Sequence, residues 1–290
     1  LQRSPIAWVS SIGALALLLA CCARQPAAQL APPQRIVALT VGAVDTLALL
    51  GELGRVVAVE EDCFVPGTEL LAKIRNDDHA GPSKALNVES VLALQPDLVI
   101  AKEDLRPALG ERGVNVLWIP QASDLEAIIG VVESIGVRLC VPEKSRALVA
   151  RLRASAAEIA ARVAGRPRVR VYYEAGRPGR SAGRNTVMDE MIRLAGGVNI
   201  AGESPLANPV LSSEAIVAAD PEVIVLSPWC EPIETVVTRP GWNRIAAVRE
   251  GRVHVIPERE RQVQYPSPSC VEGCARLLVP WLHPEIGGGK

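Results

Sequence analysis

Asn87-Val-Glu-Ser-Val-Leu-Ala-Leu-Gln-Pro-Asp-Leu-Val-Ile-Ala101 and Ser212-Ser-Glu-Ala-Ile-Val-Ala-Ala-Asp-Pro-Glu-Val-Ile-Val-Leu226 are two renderings of one unit. Glu89 and Glu214 lie 125 positions apart (214 − 89), and so do Pro96 and Pro221 (221 − 96). Each copy reads as a short helix, a Pro-acid turn and an apolar strand. A unit that recurs once at this distance predicts two similar lobes.

The flanking sequence agrees. Arg35–Thr40, Val56–Glu60, Leu98–Ala101 and Val114–Ile119 read as buried strands, with helices at Val44–Leu53, Val88–Leu94 and Leu105–Arg112 between them. The alternation restarts with strands at Val169–Tyr173, Val223–Leu226 and Val253–Ile256. Thr186–Ala195 is a helix closed by Gly196 and Gly197, and Pro268–Leu282 is a final helix. Between the two sets, Pro142 to Ala164 carries Leu148, Leu152, Ile159 and Val163 on one stripe. Pro142 suits its first turn and Gly165 its stop. The expected fold class is α/β: two similar lobes on mainly parallel sheets, joined by one long helix, with a ligand cleft between them. The lobes are expected at 35–141 and 166–285, the helix at 142–165 and a tail at 286–290.

Composition narrows the function. Of 290 residues, 49% are hydrophobic and 22% charged, which excludes a disordered chain. The net charge of −1 leaves no basic excess for phosphate contacts, so no nucleic-acid partner is expected. Only three histidines are present, too few for a His-rich metal site.

Residues 1–20 read as an export signal: Arg3, then an apolar Ile6–Ala20 run that is short for a bilayer span. Leu18-Leu19-Ala20-Cys21 resembles a bacterial lipobox, with Cys21 as the lipidated residue. Residues 21–34 then form a lipidated Cys and an Ala-, Pro- and Gln-rich tether. The expected location is the periplasm or cell envelope, with the chain anchored to membrane by its lipid.

Arg35 to Glu60, the Asn87–Ala101 stretch, Thr186–Ala201, Gly241-Trp followed by Ala247-Val-Arg-Glu-Gly-Arg-Val-His-Val255, and Val271-Glu-Gly through His283-Pro-Glu285 follow one pattern in order and spacing. They resemble the substrate-binding proteins of ABC importers for cobalamin, haem and iron siderophores. The resemblance runs from about Arg35 to Glu285. It implies a non-enzymatic, monomeric carrier with no cofactor of its own, which captures a metal chelate and passes it to a membrane permease. Cobalamin or another corrinoid is the first expectation, a siderophore or haem the next. The resemblance also implies permease docking through one Glu on each lobe, here Glu89 and Glu214. The physical alternative for these two is a carboxylate favoured by a helix N-terminus.

The resemblance places the ligand among cleft loops, and there this chain departs from the cobalamin pattern. Ser83 and Asn208 stand where two framing Trp residues are expected, and Lys102 where a third is. Phe64, Tyr172, Tyr173, Trp229 and Tyr265 are candidates to compensate. An Arg common in related chains is replaced by Ser269 in Pro266-Ser-Pro-Ser-Cys270, which removes an anion-binding cation.

Three cysteines fall in the same loops: Cys63, Cys230 and Cys270. Cys270 opens a helix, where a thiol pKa is lowered. Three sulfurs converging from two lobes would suit Hg²⁺, Cu⁺, Cd²⁺ or Zn²⁺, so a soft-metal binder on the same fold is the alternative. Cys274 follows on the same helical face, and Cys140 precedes the long helix as a structural residue.

From another class, Gly179-Arg-Ser-Ala-Gly183 matches the Gly-x-Ser-x-Gly pattern of Ser hydrolases, with His283 as partner. That pattern requires a tight strand-to-helix turn, whereas Gly176 and Pro178 separate Ser181 from its strand. A loop is the better reading. Arg177, Arg180 and Arg184 in or beside it could line the cleft mouth and attract an anionic chelate.

Overall fold

The computed structural model describes residues 31–61, 63–74 and 86–286. Cys21, Ser83, the segment expected to be an export signal and the last four tail residues lie outside this range. The first lobe holds β1 (Ile36–Ala38), β2 (Val56–Glu60), β3 (Ala72–Ile74), β4 (Leu98–Lys102) and β5 (Val116–Ile119), in the order β3-β2-β1-β4-β5. The second holds β6 (Val169–Glu174), β7 (Gly197–Asn199), β8 (Val223–Leu226) and β9 (Val253–Val255), in the order β7-β6-β8-β9. Every pair in both sheets is parallel.

Parallel strands covered on both faces read as continuous apolar runs, and their residues alternate between two cores. Ile36 and Ala38 join the large core that runs through the molecule, while Val37 and Leu39 join a smaller outer one. Likewise Val223 and Val225 face the large core, and Ile224 and Leu226 an outer core with Tyr172 and Trp242. The large core extends from Ile36 through Leu148, Leu152 and Ile159 to Leu282, so the helix Pro142–Val163 is packed into both lobes. Its 22 residues span about 33 Å at 1.5 Å each. No helix among the described residues is long and apolar enough to cross a membrane.

The repeated unit is duplicated atom by atom at its key contacts. Asn87 and Ser212 cap the helices Val88–Ala93 and Ser213–Ala219, accepting from the Ser90 and Ala215 N–H groups. Each unit then turns through a non-glycine residue in the left-handed region, Gln95 (φ 47°) and Asp220 (φ 42°). The prolines that follow, Pro96 and Pro221, disfavour the right-handed helix at that residue. Asp97 accepts from the N–H groups of Gln34 (2.6 Å) and Arg35 (2.9 Å), and Glu222 from the Arg170 N–H (2.9 Å). Arg35 Nε donates to the Gln95 carbonyl at 3.3 Å, and Arg170 Nε to the Asp220 carbonyl at 3.1 Å. In each lobe the Pro-acid turn therefore clamps the start of a central strand.

Some elements differ from the sequence expectation. The helix Leu125–Arg138, capped by Asp124, is additional. Gly197 opens β7 instead of merely ending a helix, and β3 is a further short strand. The final helix is continuous from Ser269 to Leu282, as expected, but widens to a π turn at Cys274–Leu278. Pro280 accounts for the widening, because it has no N–H and its ring crowds the carbonyl one turn back.

The lobes also meet away from the long helix. Ser269 donates through its N–H and its hydroxyl to the Asp45 carboxylate, both at 2.8 Å, across the seam between the helix Val41–Leu49 and the final helix. Beside it, a Cβ on Gly42 would stand 2.2 Å from the Pro266 carbonyl oxygen. Gly42→Ala is expected to destabilise the fold by about 1–3 kcal/mol through overpacking, measured by urea unfolding. Burial pushes the Asp45 carboxyl above the ordinary carboxylate range, against the pull of the Ser269 bonds. The folded chain then holds this proton more tightly than the unfolded chain, so stability falls as pH rises through the window between the two values. Asp45→Asn keeps an acceptor and removes the charge. It should be at least as stable as the parent at neutral pH and lose that advantage below the window, as read from unfolding midpoints against pH.

Candidate ligand-binding cleft

In an open parallel sheet, ligands bind outside the carboxyl ends of the strands where the strand order reverses. The reversals here are between β1 and β4 in the first lobe and between β6 and β8 in the second. A cleft of about 430 Å³ lies where these ends face one another. The first lobe supplies Thr40–Gly42 after β1, Glu60 at the end of β2, Lys102 at the end of β4 and Pro120–Ala122 after β5. The second supplies Tyr173 on β6, the Arg180–Ala182 loop, Asn185, Asn208 and Gln264–Pro266.

One buried network positions the second wall. Glu174, 0% exposed at the end of β6, pairs with both terminal nitrogens of Arg239 at 2.7 and 2.8 Å. It also accepts from the Tyr172 hydroxyl (2.8 Å) and the Gly179 N–H (3.1 Å). Arg239 reaches Glu231 as well, at 2.8 Å, and stacks on Trp242. A buried carboxylate so fully partnered is specific in geometry, and removing one partner from such a pair costs about 3–5 kcal/mol. The Gly179 contact ties the cleft loop directly to this network. Above it, the Tyr173 hydroxyl donates to Gln264 at 2.6 Å.

The predicted site residues scatter. Lys102 and Asn208 line the cleft. Phe64 and Trp229 do not line it but pack around Tyr265, which does, with ring centres 5.2 and 6.3 Å away. Trp229 is 50% exposed, and the Arg261 guanidinium lies 3.9 Å from the Phe64 ring centre. Tyr172 is a core residue against Trp242. Ser269 is spent on Asp45. Glu89 and Glu214 are exposed in the first turns of their capped helices. Bonds from its own N–H and from Ser212 hold the Glu214 carboxyl below its usual range.

The three-thiol metal site does not assemble. Among the described residues no three His, Cys, Asp or Glu side chains could hold one metal ion, and Cys63, Cys230 and Cys270 are no exception. Cys270 faces the core, and burial pushes its thiol up to about 12, the reverse of the helix-terminus effect expected from sequence. Cys63 is buried in the large core, with its thiol raised by burial. Cys230 donates to the Glu174 carbonyl and accepts from the Gly176 N–H, and burial raises its thiol too. Cys274 is buried and donates to the Met191 carbonyl.

The hydrolase alternative also fails on geometry. Ser181 lies on an irregular loop with no helix directly after it. His283 is buried against the Ala195 carbonyl, at the far end of the helix Val187–Leu194. Thr186 and Val187 at the near end of that helix line the cleft, so its eight residues separate the two by about 12 Å. Sequence reasoning missed the loops after β1 and β5, although the strand order, once known, points to the first of them.

The family model for periplasmic binding proteins matches residues 36–260. The chain belongs to this family. A cobalamin-binding protein of Halobacterium salinarum is 30% identical over 257 residues, covering 84% of this chain and 68% of that protein. A Bacillus subtilis protein named as an ABC transporter substrate-binding lipoprotein is 26% identical over 258 residues, 84% of this chain and 79% of its own. The periplasmic vitamin B12 binding protein of Vibrio cholerae shares the fold with a TM-score of 0.72 at 21% identity, over 90% of this chain and all 100% of its own. A periplasmic heme-binding protein from Roseiflexus sp. RS-1 does so with a TM-score of 0.73 at 23% identity, over 88% and 99%. Members of this family are solute-binding proteins, and this chain carries the same two-lobed frame.

The thiol geometry makes a direct prediction for a chain starting at Ala23. In the native state Cys140, which is exposed, should react rapidly with a disulfide reagent, and Cys63, Cys270 and Cys274 only on unfolding. Thiol counting with and without denaturant reads this out.

Proposed function

We propose that this chain is a non-catalytic carrier that captures a metal chelate in the interlobe cleft and hands it to an ABC permease. A corrinoid is the favoured cargo, with haem or an iron siderophore as the second choice. The observation that carries the reading is a cleft walled by the switch-point loops of two parallel sheets, in a chain 30% identical to a cobalamin-binding protein. Tyr265, with Phe64 and Trp229 packed around it, offers aromatic surface beside the cleft, as a flat macrocycle needs. We further propose lipid anchoring through Cys21 in the cell envelope, supported by the residues before it and by the lipoprotein relative.

Docking through Glu89 and Glu214 is supported by their equivalent places on capped, duplicated helices, both exposed. Two carboxylates presented alike on two lobes suit a partner that offers paired cations. Calorimetric titration with cyanocobalamin, hemin and a ferric siderophore tests the cargo. One-to-one binding of cyanocobalamin is expected, and binding of only one of the others would move the assignment to that chelate. The Glu89→Ala/Glu214→Ala pair should leave cargo affinity within about twofold and abolish permease-dependent uptake in reconstituted vesicles.

A further inference from the structure

Several polar side chains on the cleft wall are already engaged within the protein. Thr40 and Thr186 accept from the Ala43 and Asp189 N–H groups as helix caps. The Tyr173 hydroxyl donates to Gln264, whose own amide nitrogen donates to the Arg261 carbonyl at 3.3 Å. The carboxamides of Gln121 and Asn185 are different. Both residues line the cleft, both are exposed, and neither side chain has a hydrogen-bond partner among the described residues. Asn208 is half engaged: its oxygen accepts from Arg180 at 3.3 Å, and its amide nitrogen has no partner among the described residues. It stands where an aromatic frame was expected.

The two unpartnered amides sit on anchored backbone. Gln121 lies between β5 and the Asp124-capped helix Leu125–Arg138, with Ile119 and Ala122 buried beside it. Asn185 immediately precedes Thr186, the cap of Val187–Leu194, and adopts the left-handed region at φ 61°. Asparagine accepts that conformation more readily than most residues. Its neighbours are fixed as well: the Arg184 N–H donates to the Ser204 carbonyl (2.9 Å) and the Thr186 hydroxyl to the Gly183 carbonyl (2.8 Å). Each lobe thus offers one free amide at the foot of a capped helix, with little beyond its own side-chain rotations left to order on binding.

A primary carboxamide presents one acceptor and two donors in a single plane. A second carboxamide matches it with two antiparallel hydrogen bonds. A carboxylate can only accept, so it satisfies the amide nitrogen and sets its charge against the amide carbonyl. We infer that Gln121 and Asn185 read carboxamide groups on the edge of the cargo, with the free Asn208 nitrogen as a further donor. The inference rests on the reading of the cleft as a chelate site and specifies a neutral, amide-bearing edge. Two kinds of chelate offer such an edge: a corrinoid with amidated side chains and a siderophore built on a peptide. In a cleft short of aromatic faces, selection passes to the rim of the cargo.

Titration of four probes against the wild type and Gln121→Met/Asn185→Gly tests it. Methionine keeps the length of glutamine without its amide, and glycine accepts the backbone at position 185. The probes are dicyanocobinamide, dicyanocobyrinic acid heptamethyl ester, ferrichrome and hemin. The first carries amides, and the second carries esters on the same ring, which accept but cannot donate. Ferrichrome is a neutral peptide chelate, and hemin carries carboxylates. The double variant should weaken dicyanocobinamide by about tenfold and the ester by at most about threefold, given roughly two- to tenfold for each neutral hydrogen-bonding group. The empty variant should melt as the parent does, since both residues are exposed. If ferrichrome is the amide-bearing probe that binds, the same loss is expected there, and the amide read is a peptide's. Equal losses on amide and ester, or no loss on the amide-bearing probe that binds, overturn the inference and leave capture intact. A wild type that binds hemin alone does the same. A wild type that binds none of the four overturns the chelate reading and this inference with it.

Discussion

The width of the cleft depends on a seam that begins at its edge and runs away from it. Asp45 from one lobe accepts two hydrogen bonds from the start of the final helix of the other, and Gly42 lets the Pro266 carbonyl come to within contact of its backbone. Together with the helix Pro142–Val163, which is packed into both lobes, these contacts fix how far the two sets of strand ends stand apart. The loop Gln264–Pro266 runs from the seam straight into the cleft wall. A shift at Asp45 is therefore passed through its partner Ser269 toward Tyr265, four residues earlier in the chain.

Within each lobe a second device does the local work. The Pro-acid turn uses its left-handed residue, Gln95 or Asp220, to swing the chain from a helix into a central strand, and its acid to hold the neighbouring strand by the backbone. Non-glycine residues in this region carry a cost of order 1–3 kcal/mol. The arginine that bonds to each turn's carbonyl, Arg35 or Arg170, offsets part of it. The same unit exposes its first-turn glutamate. Strand placement and the presentation of Glu89 and Glu214 are thus one construction made twice.

The duplicated stretch was legible in sequence because it is local: caps, proline and apolar alternation all lie within fifteen residues. Strand identity followed from the apolar runs, and the long helix from its stripe and its flanking Pro142 and Gly165. The helix Leu125–Arg138 was not read. β3 and β7 were missed because each has three residues and gains its identity from a neighbour. The cysteines misled for a physical reason. Loop position was read from sequence, but whether a side chain faces cleft or core depends on packing: Cys270 turns inward, and its environment outweighs the helix terminus. Lys102 reaches the cleft because it ends β4, and Asn208 because its segment is bonded by backbone to Ser181 and Gly183, whereas the loops after β1 and β5 needed the strand order to be noticed.

The seam has a thermodynamic side. A cleft held at one width is preorganised, so cargo meets it without the loss of affinity that a sparsely populated competent state imposes. Unloading then becomes a mechanical problem. The contacts that preorganise the cleft also oppose its gaping, because opening it would part Ser269 from Asp45 and Pro266 from Gly42. How readily cargo leaves would be written into four residues, of which only Pro266 and Gly42 touch the cleft.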